Sequence, residues 1–357
     1  MRGLFTGCSD TSCLQGETVH EPFRRSLGHA VQWFDILQLE VDGCVERIIA
    51  SCRDKIHSSA DSDSASQTNL PPPEQTRCAP ILVQRCPACF SGEKFGTPLE
   101  EGCDIHVATD GNFHRRHRRS AGDGPAFYDP VYILPKLQVD AVGRRIQEAR
   151  KCAPTKVPAT VPDEAIDQCQ HSYEAADEKK KKTNMEIFDD GGLMEMVCRH
   201  DIPLFFANID TPGEQQKYAV TLIEHLFSLL PSNATVTVLY DVGCVLARTL
   251  RRVSKPLHPS FVLNYPQYSI LSPSILSRLR FVTTAMYAYG HEWACQLVYN
   301  PRMVPGMGLS DGEGTERLWS RLTKLITIER GSLVCHFPAL SSSPLINAIN
   351  SVNDVSG

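Results

Sequence analysis

Apolar residues recur at two periods along this chain, and the changes between them mark its elements. Within residues 20–56, Val31, Phe34, Leu37, Val41, Val45 and Ile48 follow at steps of three and four. That is the spacing of a long amphipathic helix packed on something larger. Residues 57–76 are rich in Ser, Asp and Pro and almost free of apolar side chains. Burial there cannot offset the ordering entropy, and a disordered linker is expected. Strand patterns begin beyond it, with ILVQRC at 81–86 and DIHVATD at 104–110, where apolar and polar positions roughly alternate. Residues 135–182 read as helical with a polar break around 154–162, ending in the run Lys179 to Lys182, a solvated helix end or a nuclear-import signal.

LMEMVCRH (193–200) and PLFFANID (203–210) are two β-type runs joined across Asp201 and Ile202, a hairpin signature. A helix follows, with Pro212 near its start, Glu214 in its first turn and Pro231 as its stop. ATVTVLYD (234–241) is then a strand that ends on an aspartate. Three meandering strands, a crossover helix and a fourth strand predict an α/β fold, an RNase H-like mixed sheet flanked by helices. The expected division is a helical segment over 1–56, a linker over 57–76, and a core over 77–330 with insertions near 120–185 and 245–300. Residues 331–357 read as a divergent, disordered tail.

Composition narrows the class. With 42% hydrophobic and 22% charged residues among 357, the chain suits an ordinary soluble globular protein. No apolar leader core and no run of about 18 apolar residues occurs, so no membrane partner is expected. Fourteen cysteines without a secretory leader read as reduced thiols or zinc ligands. A net charge of −5 gives no general attraction to nucleic acid, so any DNA contact rests on local patches.

Two-metal phosphoryl-transfer chemistry needs carboxylates that a rigid scaffold converges. Asp110 closes the first strand ahead of Gly111, and Asp241 closes the fourth, so the two would lie side by side if those strands are neighbours. Glu313 opens the helical pattern GEGTERLWSRLTKL, whose Arg317, Arg321 and Lys324 share its face. Each position also has a plain structural reading, since Asp-Gly is a turn signal and acids favour helix starts. Cys86 and Cys89 form a CxxC, and Cys198 and His200 a CxH at the hairpin turn. Together they make a candidate tetrahedral zinc set that ties the start of the core onto the hairpin. His291 and Cys295 lie one helical turn apart and either bind metal, orient the acids from behind, or simply pack. The run from His114 to Arg119 offers Arg115, Arg116, Arg118 and Arg119 as phosphate contacts or as a solvated loop. Trp293 and Trp319 read as core.

These strings resemble the Kyakuja-Dileera-Zisupton (KDZ) transposases, a eukaryotic DNA-transposon family common in fungi. The likeness runs from about His20 to Arg330 through EPFRRSLGHAVQWFDIL, RCPACF, DGNFHRRHR, FYDPVYILPK, FDDGGLMEMVCRHDIPLFFANIDTPGEQQKYAV, LYDVGC, AYGHEWACQLVYNPR and GLSDGEGTERLWSRL. The resemblance implies a DDE catalytic core in which Asp110, Asp241 and Glu313 hold two Mg²⁺ or Mn²⁺ ions, with Asp190 and Asp311 in reserve. It implies hydrolysis at a transposon end and attack of the freed 3′-hydroxyl on target DNA. The implied partners are DNA ends and target, the implied location is nuclear, and a homo-oligomer is left open. Departures from the family pattern are Tyr287 where histidine is common, an intrusion at 253–267, and a tail after Arg330 that lacks the helical continuation. Relatives are longer and often carry an upstream cysteine cluster, so truncation at both ends is expected, with retained intron sequence a source of both odd stretches. These departures leave two alternatives: a non-catalytic DNA-binding or interaction protein descended from a transposase, and a zinc-stapled adaptor that keeps the three acids apart.

Overall fold

The computed structural model describes residues 76–121, 132–151, 160–179, 185–253 and 270–323, with scattered helical positions between 33 and 55. The chain divides into two compact units, residues 1–69 and 70–357. In the first, Trp33, Phe34, Leu37, Val41, Val45 and Ile48 are all exposed, although they carry the spacing expected of a packed face. Val31, the linker up to residue 75, Lys180 to Lys182, the 254–269 stretch and everything after 323 lie outside the described residues. Among the described residues no helix is long and apolar enough to cross a membrane.

The second unit is built on a five-stranded mixed sheet of order β5-β4-β1-β6-β7. Its strands are β1 (Ile105–Asn112), β4 (Gly192–Cys198), β5 (Pro203–Ile209), β6 (Val236–Leu239) and β7 (Leu279–Val282); β2 (His117–Arg118) and β3 (Phe188–Asp190) pair separately. β1 runs antiparallel to β4 and parallel to β6, and β4 and β5 form the expected hairpin, with Asp201 in its turn at φ 60°. The first and fourth strands of the sequence reading are therefore neighbours. β7 falls inside 245–300, where the sequence suggested no strand.

The period of two sorts β1 onto the two faces of the sheet. Ile105 and Val107 enter the larger core, and Ala108 the smaller one. The larger core is covered by α3 (Lys136–Arg150), α4 (Asp163–Lys179), α5 (Gln216–Ser228), α6 (Gly243–Val253) and α7 (Trp293–Tyr299), ahead of which α1 (Pro80–Arg85) and α2 (Pro87–Phe90) pack. The smaller core lies under α8 (Gly314–Leu322), which buries Leu318, Trp319 and Leu322.

The stretch ILVQRC is helix, not strand. Pro80 sits at the first helical position, where its missing N–H costs nothing. Cys78, Leu82, Cys86 and Phe90, four residues apart in turn, are all buried, whereas alternate residues are not. Trp319 is core as expected, but Trp293 is 68% exposed.

Candidate functional site

Register brings the two aspartates together. Ala108 pairs with Leu239 across the parallel β1–β6 ladder, and Asp110 and Asp241 each lie two residues further on. Asp110 shares the face of Ala108, which is the face α8 covers, and Asp241 stands just past the end of β6. Glu313 holds the N-cap position of α8 without a side-chain cap bond, and its charge acts on Asp241. The Thr284 hydroxyl donates to Asp241 (2.6 Å), and the Met286 N–H donates to Glu313 (2.8 Å).

The electrostatics register this convergence. Burial first, then the charges of Glu214 and Asp241, push the Asp110 carboxyl well above the usual range. Burial also raises Asp241, to about 7, with Glu214 and Glu313 adding to the shift and the Thr284 hydrogen bond opposing it. Tyr287 is raised chiefly by burial, and then by Asp241, Glu316, Asp110 and Glu313 together. Asp241 thus acts on Asp110, and Glu313 acts on Asp241.

Glu214 is a fourth carboxylate that sequence reasoning took for a helix-start acid, whereas α5 begins two residues later. Tyr240 and Tyr173 donate to it at 2.5 and 3.2 Å. It arrives from the opposite face of the sheet, against the backbone of Gly111, where a Cβ would come within 2.8 Å of Glu214 Oε2. The glycine after Asp110 thus admits this carboxylate. Glu214 also lines a cleft of about 690 Å³ with Asp140, Arg144, Arg150, Tyr173 and Lys217. Its only sequence signal was the acid itself, since the two tyrosines come from distant segments.

The basic run divides. Arg115 is 1% exposed, its guanidinium 5.8 Å from the Trp319 ring and its charge opposing the burial that raises Glu195. It braces the floor beneath α8 and is withdrawn from the DNA-contacting set. Arg116 is half-buried, donating to the Phe113 carbonyl at 2.7 Å, while Arg118 and Arg119 are exposed. Arg317 is clamped between Asp201 and Asp311, with bonds of 2.6 and 2.9 Å, so its charge is already matched, and Arg321 is exposed. Of the reserve acids, Asp311 serves that clamp, and Asp190, raised by burial to about 7, accepts from Asn208 on β5.

Two Cys/His groups stand among the described residues, each with its four ligand atoms within 4.8 Å of one another. The first is the foreseen set: Cys86 between α1 and α2 and Cys89 on α2, with Cys198 and His200 at the hairpin turn. His200 Nδ1 lies 3.1 Å from Cys89 Sγ and 3.5 Å from Cys86 Sγ. Hydrogen bonds from Cys198 and Cys89 pull Cys86 down to about 2, and the Cys86 partner pushes Cys198 up to about 12, as thiols competing for a proton would behave. The second group joins the foreseen His291 and Cys295 to Cys169 and Cys244, which sequence reasoning missed because neither belongs to a local ligand motif. His291 and Cys295 therefore do not stand alone as props for the acids.

Comparison with curated proteins and with solved structures finds no match. The family model of the Kyakuja-Dileera-Zisupton transposase matches residues 103–336, a span that contains all three foreseen acids and begins after the CxxC. With most of its length matched and its acids gathered at one end of a mixed sheet, the chain belongs to the Kyakuja-Dileera-Zisupton transposase family.

Proposed function

We propose that this chain is a DDE transposase core of RNase H-like fold, in which Asp110, Asp241 and Glu313 would hold two Mg²⁺ or Mn²⁺ ions. The observation that carries this reading is the matched register of the two aspartates, with Glu313 facing them from α8. The donors fit such cations, being hard carboxylate oxygens crowded at low solvent access, where a positive ion would relieve the repulsion that raises their proton affinity. Held by these carboxylates, such ions would supply an activated water and charge stabilisation for the departing oxygen of a phosphodiester. The chain's own groups do the orienting. Thr284 fixes one oxygen of Asp241, the Met286 amide fixes one of Glu313, and Tyr240 and Tyr173 hold Glu214 behind Gly111.

DNA would approach over the surface bearing Arg118, Arg119 and Arg321, and a nuclear location follows from that substrate. Cys86, Cys89, Cys198 and His200 would bind a structural zinc ion, since four protein ligands leave no open position for chemistry. The test is nicking of duplex DNA by the purified full chain in Mg²⁺ or Mn²⁺. Asp241→Ala is expected to reduce it about a thousandfold or more, roughly 4 kcal/mol of barrier, with DNA binding retained. Wild-type protein that binds DNA yet leaves it intact would overturn the cutting role and favour the non-catalytic derivative.

A further inference from the structure

We propose that Cys169, Cys244, His291 and Cys295 bind a second structural zinc ion, which fastens the helical insertion between β2 and β3 to the segments that carry Asp241 and precede Glu313. Three sulfurs and one imidazole nitrogen are the donor set of closed tetrahedral zinc sites. With Zn–S bonds of about 2.3 Å, such a tetrahedron has edges of about 3.8 Å. The four ligand atoms, all within 4.8 Å of one another, need only a small contraction to reach it.

The ligands come from three separate parts of the wall. Cys169 lies on α4 in the insertion, Cys244 is the second residue of α6, and His291 and Cys295 flank the start of α7. Their cysteines are buried at 6%, 0% and 0% exposure, with His291 half-buried. Cys244 Sγ lies 3.6 Å from His291 Nδ1, and the Glu292 N–H donates to Cys169 Sγ at 3.3 Å, a bond that suits a thiolate. At the N-terminus of an 11-residue helix, Cys244 likewise gains from the helix dipole when ionised. Soft sulfur donors here and hard carboxylates next to them sort two kinds of cation into two sites. All four ligand positions belong to protein, so this ion holds structure and takes no part in the cutting chemistry.

Position gives the site its consequence. Cys244 follows Asp241 by three residues, and His291 follows Thr284, the hydrogen-bond donor to Asp241, by seven. Without the ion, the insertion and both segments would lose their common anchor. The inference holds whether or not the chain cuts DNA.

The experiment is the zinc content of the full chain purified without chelators. Wild type is expected to hold about two ions per chain, with about one left in Cys86→Ser/Cys89→Ser and about one left in Cys169→Ser/Cys295→Ser. Zinc content unchanged in the Cys169→Ser/Cys295→Ser protein overturns the proposal. Should that variant fail to fold, the wild type decides by native thiol labelling mapped to peptides. Cys169, Cys244 and Cys295 are expected to be protected until a strong chelator is added and reactive afterwards, and labelling that the chelator does not change overturns the proposal.

Discussion

His106 sits on β1 four residues before Asp110, on the same face of the sheet, and is 3% exposed. Its Nε2 bonds the Gly102 carbonyl at 2.6 Å and its Nδ1 faces the Ser310 hydroxyl at 2.9 Å, as a neutral ring donating through Nε2 requires. Burial holds its pKa below the ordinary 6.5. The unfolded chain therefore takes up the proton first as pH falls, so His106 costs stability below about pH 6.5 and nothing above it. Thermal unfolding followed from pH 7.5 to 5 should fall more steeply for wild type than for His106→Gln, which cannot take up that proton; parallel curves would refute it. At this scale the sequence located Asp110, Asp241 and Glu313 only approximately: Asp110 lies within β1, two residues before its end, Asp241 two residues past β6, and Glu313 just ahead of α8. Glu214 was not legible, since its place depends on Gly111 having no side chain and on tyrosines that arrive from α4 and the end of β6.

Elements with a strong period were legible: β1, the β4–β5 hairpin, α5 and α8 fall where alternation or helical spacing put them. Short apolar runs were not. LRFV at β7 is a four-residue strand at the edge of the sheet beside β6, too brief for a period to emerge, and ILVQRC has the composition of a strand but the four-residue burial step of a helix. One contact between loops leaves no room for side chains. Gly102 (φ 123°) and Gly306 (φ 79°) meet backbone to backbone, and a Cβ on Gly102 would lie 2.7 Å from the Gly306 Cα. Gly306→Ala should cost about 2–4 kcal/mol, from steric overlap and from a φ that alanine resists. Chemical denaturation is the measure, and a loss under about 0.5 kcal/mol would mean the loops part easily.

Across the whole molecule, a net charge of −5 is reconciled with a DNA substrate only if the cations are local. Arg118 and Arg119 are exposed and Arg115 is not, so the three should behave differently. Reversing Arg118 and Arg119 to Glu should weaken DNA binding and lower the slope of log affinity against log salt by up to about 2, with stability unchanged. Arg115→Glu should instead destabilise the fold, by placing a second acid beside buried Glu195. Equal salt slopes for wild type and the Arg118/Arg119 reversal would remove these residues from the DNA path. The second Cys/His group shows why long-range sites resist sequence reading: its ligands at 169, 244, 291 and 295 share no short spacing motif beyond the last pair, and only the folded insertion makes them neighbours.

Asp201 joins these scales. It holds a backbone conformation that non-glycine residues seldom keep, at the tip of the hairpin whose preceding residue, His200, belongs to the first Cys/His group. Its carboxylate grips Arg317, and a side chain added at Gly314, the first residue of α8, would strike it at 2.6 Å. The hairpin tip is thus a shared seat: through His200 it meets Cys86 and Cys89, and through Asp201 it meets Gly314 and Arg317 of α8, next to Glu313. One turn of two strands is therefore common ground for the segment RCPACF and for the helix behind Glu313, two stretches more than 200 residues apart in the chain.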